Sequence, residues 1–133
     1  GVLIDLARMI QNGETISLAM PAVNLISQRD AINAALRLLD ECDNPALVLN
    51  VAGPAMRVRE ICNRLGRHLG KDPVFADDEG ETALLANDER CRRLFGEYRD
   101  GVEEMIAAAA NWVKAGGEYW DKPTMFGRAD HKY

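Results

Sequence analysis

The chain has 133 residues, 47% hydrophobic and 28% charged, and a formal net charge of −5. That length suits one domain with a real core, and the acidic balance argues against a nucleic-acid binder, which shows a basic face. No apolar run of about 18 residues exists to span a membrane. The three cysteines, Cys42, Cys62 and Cys91, have no zinc-site spacing, and scattered free thiols fit a reducing cytoplasm.

The opening segment GVLIDLARMIQNGE repeats Val2, Leu3, Leu6, Met9 and Ile10 at helical spacing and stops at Gly13. Its early Asp5 and the lack of a small-residue cleavage site argue against a signal peptide. Ala22 to Ser27 reads as a short buried strand. RDAINAALRLLDEC then carries a helical stripe of Ala31, Ala34, Ala35, Leu38 and Leu39, broken at Asn44-Pro45. Leu47 to Val51, LVLNV, reads as a second strand, buried on both faces in a parallel sheet. Gly53-Pro54 turns the chain into a helix bearing Val58, Ile61, Cys62, Leu65 and Leu69, which ends at Gly70.

Pro73 to Ala76 reads as a third strand, and Asp77 to Glu81 as an acidic loop. NDERCRRLFG is a helix stopped by Gly96, and Asp100, with Glu103 three residues on, can cap a last helix running to Gly116-Gly117. Residues 117–133 carry no period and are expected to be an irregular tail. Helices alternating with strands give an α/β fold: a small, mainly parallel three-stranded sheet with flanking helices. Two strands read as doubly buried, which is more cover than so small a sheet supplies alone.

The residue chemistry yields no complete active site. The strand–turn–helix at Leu47–Gly70 has one glycine at its turn, whereas a dinucleotide fingerprint needs three. His68 is expected on the solvent side of its helix and His131 in the tail, neither with a Ser or Cys partner at triad spacing. The carboxylates Asp77, Asp78, Glu79 and Glu81 lack a calcium-loop pattern and read as a solvated loop. Arg57, Arg59, Arg64 and Arg67, with Glu60 among them, read as a solvated helix face. Cys62 and Trp112 are expected in the core; Tyr119 and Trp120 are free to line a ligand or partner surface.

The order and spacing of three segments nevertheless carry a resemblance. VNLISQRDAINAALRLLD, LVLNVAGPAMRVREICNRLG and PVFADDEGETALLANDERCRRLFGEYRDGVEEMIAAAANWVKAG together resemble the C-terminal substrate region of the NAD-dependent epimerase/dehydratases, the extended short-chain dehydrogenase/reductases. The match covers about 1–116. It implies a C-terminal portion whose N-terminal Rossmann domain, glycine fingerprint and Y-x-x-x-K catalytic pair lie upstream. No catalytic, cofactor-binding or metal residue is then expected in this chain, and NAD or NADP belongs to the parent protein. The resemblance places substrate-binding positions at Met20, Val23, Asn24, Asp78 and Glu79.

Family members acting on nucleotide sugars use arginines at about Val23 and in the Asp77–Glu81 stretch. Arginine clamps a diphosphate bidentately, so apolar and acidic residues there imply a sugar, polyol or acid without one. The partners expected are the Rossmann domain, a small substrate and a second copy in a homo-oligomer. A stand-alone, non-catalytic binding module is the rival reading.

Overall fold

In the computed structural model, residues 1–76, 78–120, 122 and 124 are described. Three amphipathic helices form one layer: α1 (Val2–Asn12), α3 (Val58–Leu69) and α5 (Val102–Lys114) pack against one another. Each turns a row of apolar side chains inward: Leu6, Ala7 and Ile10 from α1, Val58, Ile61, Cys62 and Leu65 from α3, and Ile106 and Ala110 from α5. α1 and α3 both end on a glycine in the left-handed region, Gly13 and Gly70 (each φ 70°), as the sequence predicts.

Two short ladders lie against this layer. β1 (Thr15–Ser17) runs parallel to β4 (Val74–Ala76), and β2 (Ala22–Asn24) runs antiparallel to β3 (Ala55–Arg57). The sheet is therefore two two-stranded pairs, not one three-stranded parallel sheet. β1 escapes detection in the sequence because it is three residues long with one inward side chain, Ile16, too short to show alternation. β3 occupies what reads as the turn into the helix; Gly53 (φ 74°) makes it possible. A Cβ on Gly53 would stand 2.0 Å from the Leu25 carbonyl oxygen, so the close approach of these segments requires glycine.

The expected strand Leu47–Val51 is absent. The segment has no strand partner, and among the described residues no backbone hydrogen bond joins it to another segment. Val48 is 83% exposed. A strand exists only as one side of a ladder, and the neighbouring residues reach this segment through a side chain, Asn50 Nδ2 donating to the Asn87 carbonyl at 3.1 Å, rather than through backbone pairing.

α2 (Gln28–Arg37), continued by a 3-10 turn at Leu38–Glu41, departs in a related way. Of the predicted stripe only Ala34 is buried, while Ile32, Leu36 and Leu39 stand exposed at i, i+4 and i+7, a single row on the helix surface. Its N-terminus is firmly tied down. The Ser27 hydroxyl accepts from the Asp30 N–H at 3.0 Å, and buried Asp30 accepts from the Arg99 and Asp100 N–H groups at 3.1 and 2.9 Å.

α4 (Glu89–Phe95) ends at Gly96 as expected. The cap of α5 is one residue later than predicted: Glu104 Oε2 accepts from the Gly101 N–H at 3.0 Å, while Asp100 pairs with Arg29. Trp112 is half exposed rather than core; its indole N–H donates to the Glu118 carbonyl at 3.1 Å. Gly117 to Trp120 has no regular structure and runs back beside α1, where the Arg8 guanidinium lies 3.5 Å from the Tyr119 ring centre and Asp5 accepts from the Thr124 N–H at 2.8 Å.

Candidate functional site

Two loops meet beside the β2–β3 ladder. The Gly80 N–H donates to the Leu18 carbonyl at 2.9 Å, and a Cβ on Gly80 would lie 2.1 Å from the Ala19 carbonyl oxygen. The acidic loop is thus pressed onto residues 18–20, which brings Met20 and Glu79 into one region. Met20 is buried, its sulfur accepting weakly from the Leu84 N–H at 3.5 Å. Val23 is a core residue.

Asn24 is a hub. Its amide donates to the Gly53 carbonyl at 2.8 Å and its oxygen accepts from the Ala86 N–H at 2.9 Å, a use of the side chain that ties β2 to two loops. Asp78 is exposed, and Asp77 lies outside the described residues. Of the five expected positions, the structure therefore brings Met20 and Glu79 near each other, sets Val23 in the core and Asn24 in a backbone clamp, and leaves Asp78 in solvent.

Glu79 holds the most developed geometry. Its two oxygens accept from Arg57 Nη1 at 3.0 Å and Arg59 Nε at 2.6 Å. These hydrogen bonds, Arg59 foremost, hold its carboxyl below the usual carboxylate range against a smaller opposing effect of desolvation. The Arg59 guanidinium also sits 4.6 Å from the Phe75 ring centre. An open groove of about 550 Å³ runs from this clamp along the outer face of α3, past Asn63, Arg64 and Arg67. Arg64 pairs with Glu60 and Glu103, and His68 Nε2 lies 3.0 Å from Glu103 Oε1. The solvated face that the sequence predicts also carries a network of ion pairs.

A second polar cluster centres on a buried carboxylate. The Asp88 carboxylate, 6% exposed, accepts from the Gly53 N–H at 3.0 Å and from Arg92 Nε at 3.2 Å. Burial pushes that carboxyl up, but Tyr98, Arg92 and the Gly53 N–H outweigh it and hold it below the ordinary value. The Tyr98 oxygen is itself buried and meets no hydrogen-bond partner in full geometry among the described residues. Burial pushes its pKa up, as do neighbouring Asp88 and Cys91. Arg57, Arg59 and Asp88 were not singled out as functional by sequence. The pattern R-x-R gives no warning, because Arg57 belongs to a strand and Arg59 to a helix; only the fold turns both toward Glu79.

Burial raises the Cys62 thiol to about 12 despite nearby Arg59, which fits a core residue rather than a nucleophile. Among the described residues no three His, Cys, Asp or Glu side chains gather to hold a metal. No described helix is long and apolar enough to cross a membrane. His131 lies outside the described residues.

No protein-family model matches the chain, and no curated protein matches it in sequence. Solved structures do match in fold. The Bordetella bronchiseptica enzyme WbmH, in complex with NAD+, aligns at TM-score 0.62 and 16% identity. RMD from Pseudomonas aeruginosa, complexed with NADPH, aligns at 0.64 and 18%. A UDP-galactose 4-epimerase aligns at 0.59 and 22%. These alignments cover 86–89% of this chain but 41% of each neighbour. The chain thus has the fold of part of these enzymes and spans about two fifths of their length.

Proposed function

We propose that this chain is the substrate-binding C-terminal part of an NAD(P)-dependent epimerase, dehydratase or reductase acting on a sugar or a related polyol or acid. One observation carries the reading. The fold match takes in nearly all of this chain but 41% of each neighbour, and the chain bears surfaces suited to the remainder. Residues 47–51 present backbone without ladder partners among the described residues and Val48 in solvent, and α2 with its 3-10 continuation presents the bare row Ile32, Leu36 and Leu39. An unpaired edge and an apolar row are where another part of the same protein docks.

On this reading a Rossmann domain covers those surfaces and holds NAD or NADP, which supplies hydride transfer when bound. This chain contributes the walls of the substrate cleft, drawn from Met20, Val23, Asn24, Asp78 and Glu79, and is inactive alone. The acidic loop and Val23, where nucleotide-sugar enzymes place arginines, support a substrate without a diphosphate.

The test is NADH fluorescence on two proteins: this chain, and the product of its full open reading frame. The longer protein is expected to bind NADH saturably and this chain to show no binding. Saturable micromolar binding by this chain alone would refute the reading. A reading frame with no Rossmann segment would replace it with a stand-alone binding module.

A further inference from the structure

The groove along α3 carries more donors than its ion pairs use. A guanidinium offers five N–H donors. Arg57 and Arg59 each place one on Glu79, and the Arg57 side chain is 72% exposed. Arg67 lines the same groove with no ion pair among the described residues. Two such forks a few ångströms apart match the oxygens of a diphosphate. What stands between them is a carboxylate of the chain itself, only 23% exposed and held by both. The loop that delivers it cannot easily swing away, because Gly80 is bonded to Leu18 and packed on the Ala19 carbonyl.

We propose that Glu79 is a selectivity residue: its carboxylate occupies the oxyanion position between Arg57 and Arg59 and turns away diphosphates, leaving the groove to ligands that present hydroxyls. A hydroxyl both donates and accepts, so it can bond the carboxylate and a guanidinium at once. A diphosphate must displace the carboxylate or bear its repulsion. The consequence for substrate choice rests on the function proposed above; the anion chemistry of the groove does not.

The test uses the full 133-residue chain and inorganic pyrophosphate, titrated calorimetrically in low-salt buffer. Glu79→Gln keeps the shape and removes the charge. It is expected to bind pyrophosphate at least about tenfold more tightly than the unsubstituted chain. The gain should weaken with added salt and vanish when Arg57→Ala and Arg59→Ala are added. Equal binding by both proteins overturns the proposal, and so does binding by neither. If Glu79→Gln fails to fold, Glu79→Ala takes its place; loss of the fold in both makes Glu79 a structural staple and also overturns it. Because only pyrophosphate and this chain are used, failure here is distinct from failure of the NADH test.

Discussion

At the residue scale, buried Asp88 has the clearest stability consequence. It satisfies the N–H of Gly53, the residue whose positive φ lets β3 form, and it anchors Arg92 of α4. Asp88→Ala leaves that N–H without its partner, so we predict a loss of about 1–3 kcal/mol in chemical denaturation. The pH dependence follows from the direction of the shift. The folded carboxyl titrates below its ordinary value of 3.8, so its contribution is complete above that value. It drains away as pH falls through the lower folded pKa. Asp88→Asn is expected to flatten this part of the acid limb; an unchanged slope in acid titrations of both proteins would show that Asp88 is not its source. Asn24 has a use that a linear chain does not show. Its amide is indeed at the end of β2, but the structure uses it to bind backbone at Gly53 and Ala86.

At the scale of elements, the helices follow from local pattern, whereas of the strands β2 and β4 do and β1 and β3 do not. α3 needs only its own apolar row and Gly70 to be recognised. β3 depends on Gly53, where any side chain collides with the Leu25 carbonyl. We predict that Gly53→Ala destabilises the chain by more than about 1 kcal/mol and speeds amide exchange in β2 and β3 while sparing α5. Uniform loss of protection, or none, would contradict this. The 47–51 segment yields a complementary prediction. With no ladder to protect them, its amides should exchange at nearly the unprotected rate, whereas those of α3 should be among the slowest. Slow exchange at 47–51 would mean that some segment or second copy pairs with it in solution.

At the scale of the molecule, the two bare surfaces predict how the chain behaves by itself. The unpaired backbone at 47–51 and the exposed row Ile32, Leu36 and Leu39 each invite another chain. A net charge of −5 opposes this weakly where the screening length is about 10 Å. Sedimentation velocity should show concentration-dependent self-association. Ile32→Glu with Leu36→Glu should suppress it while leaving the thermal midpoint nearly unchanged, since both side chains are exposed. A strictly monomeric chain at high concentration would show that these surfaces are not adhesive.

The amino-acid sequence by itself determined the helices α1, α3, α4 and α5, the glycines that end three of them, the β4 strand and the mixed α/β character. Each of these rests on contacts close along the chain or on one row of apolar side chains, and such information is periodic and local. The strands β2 and β4 were legible too, but only the tertiary structure decided how strands pair and which weakly patterned segments join a ladder. LVLNV has the composition of a buried strand and is not one, while TIS and AMR are strands with almost no pattern. A ladder is a property of two segments distant in sequence, so neither half announces it. The same holds for the clamp on Glu79: its two arginines come from a strand and a helix, 22 and 20 residues away, and nothing short of the fold brings three charges to one point.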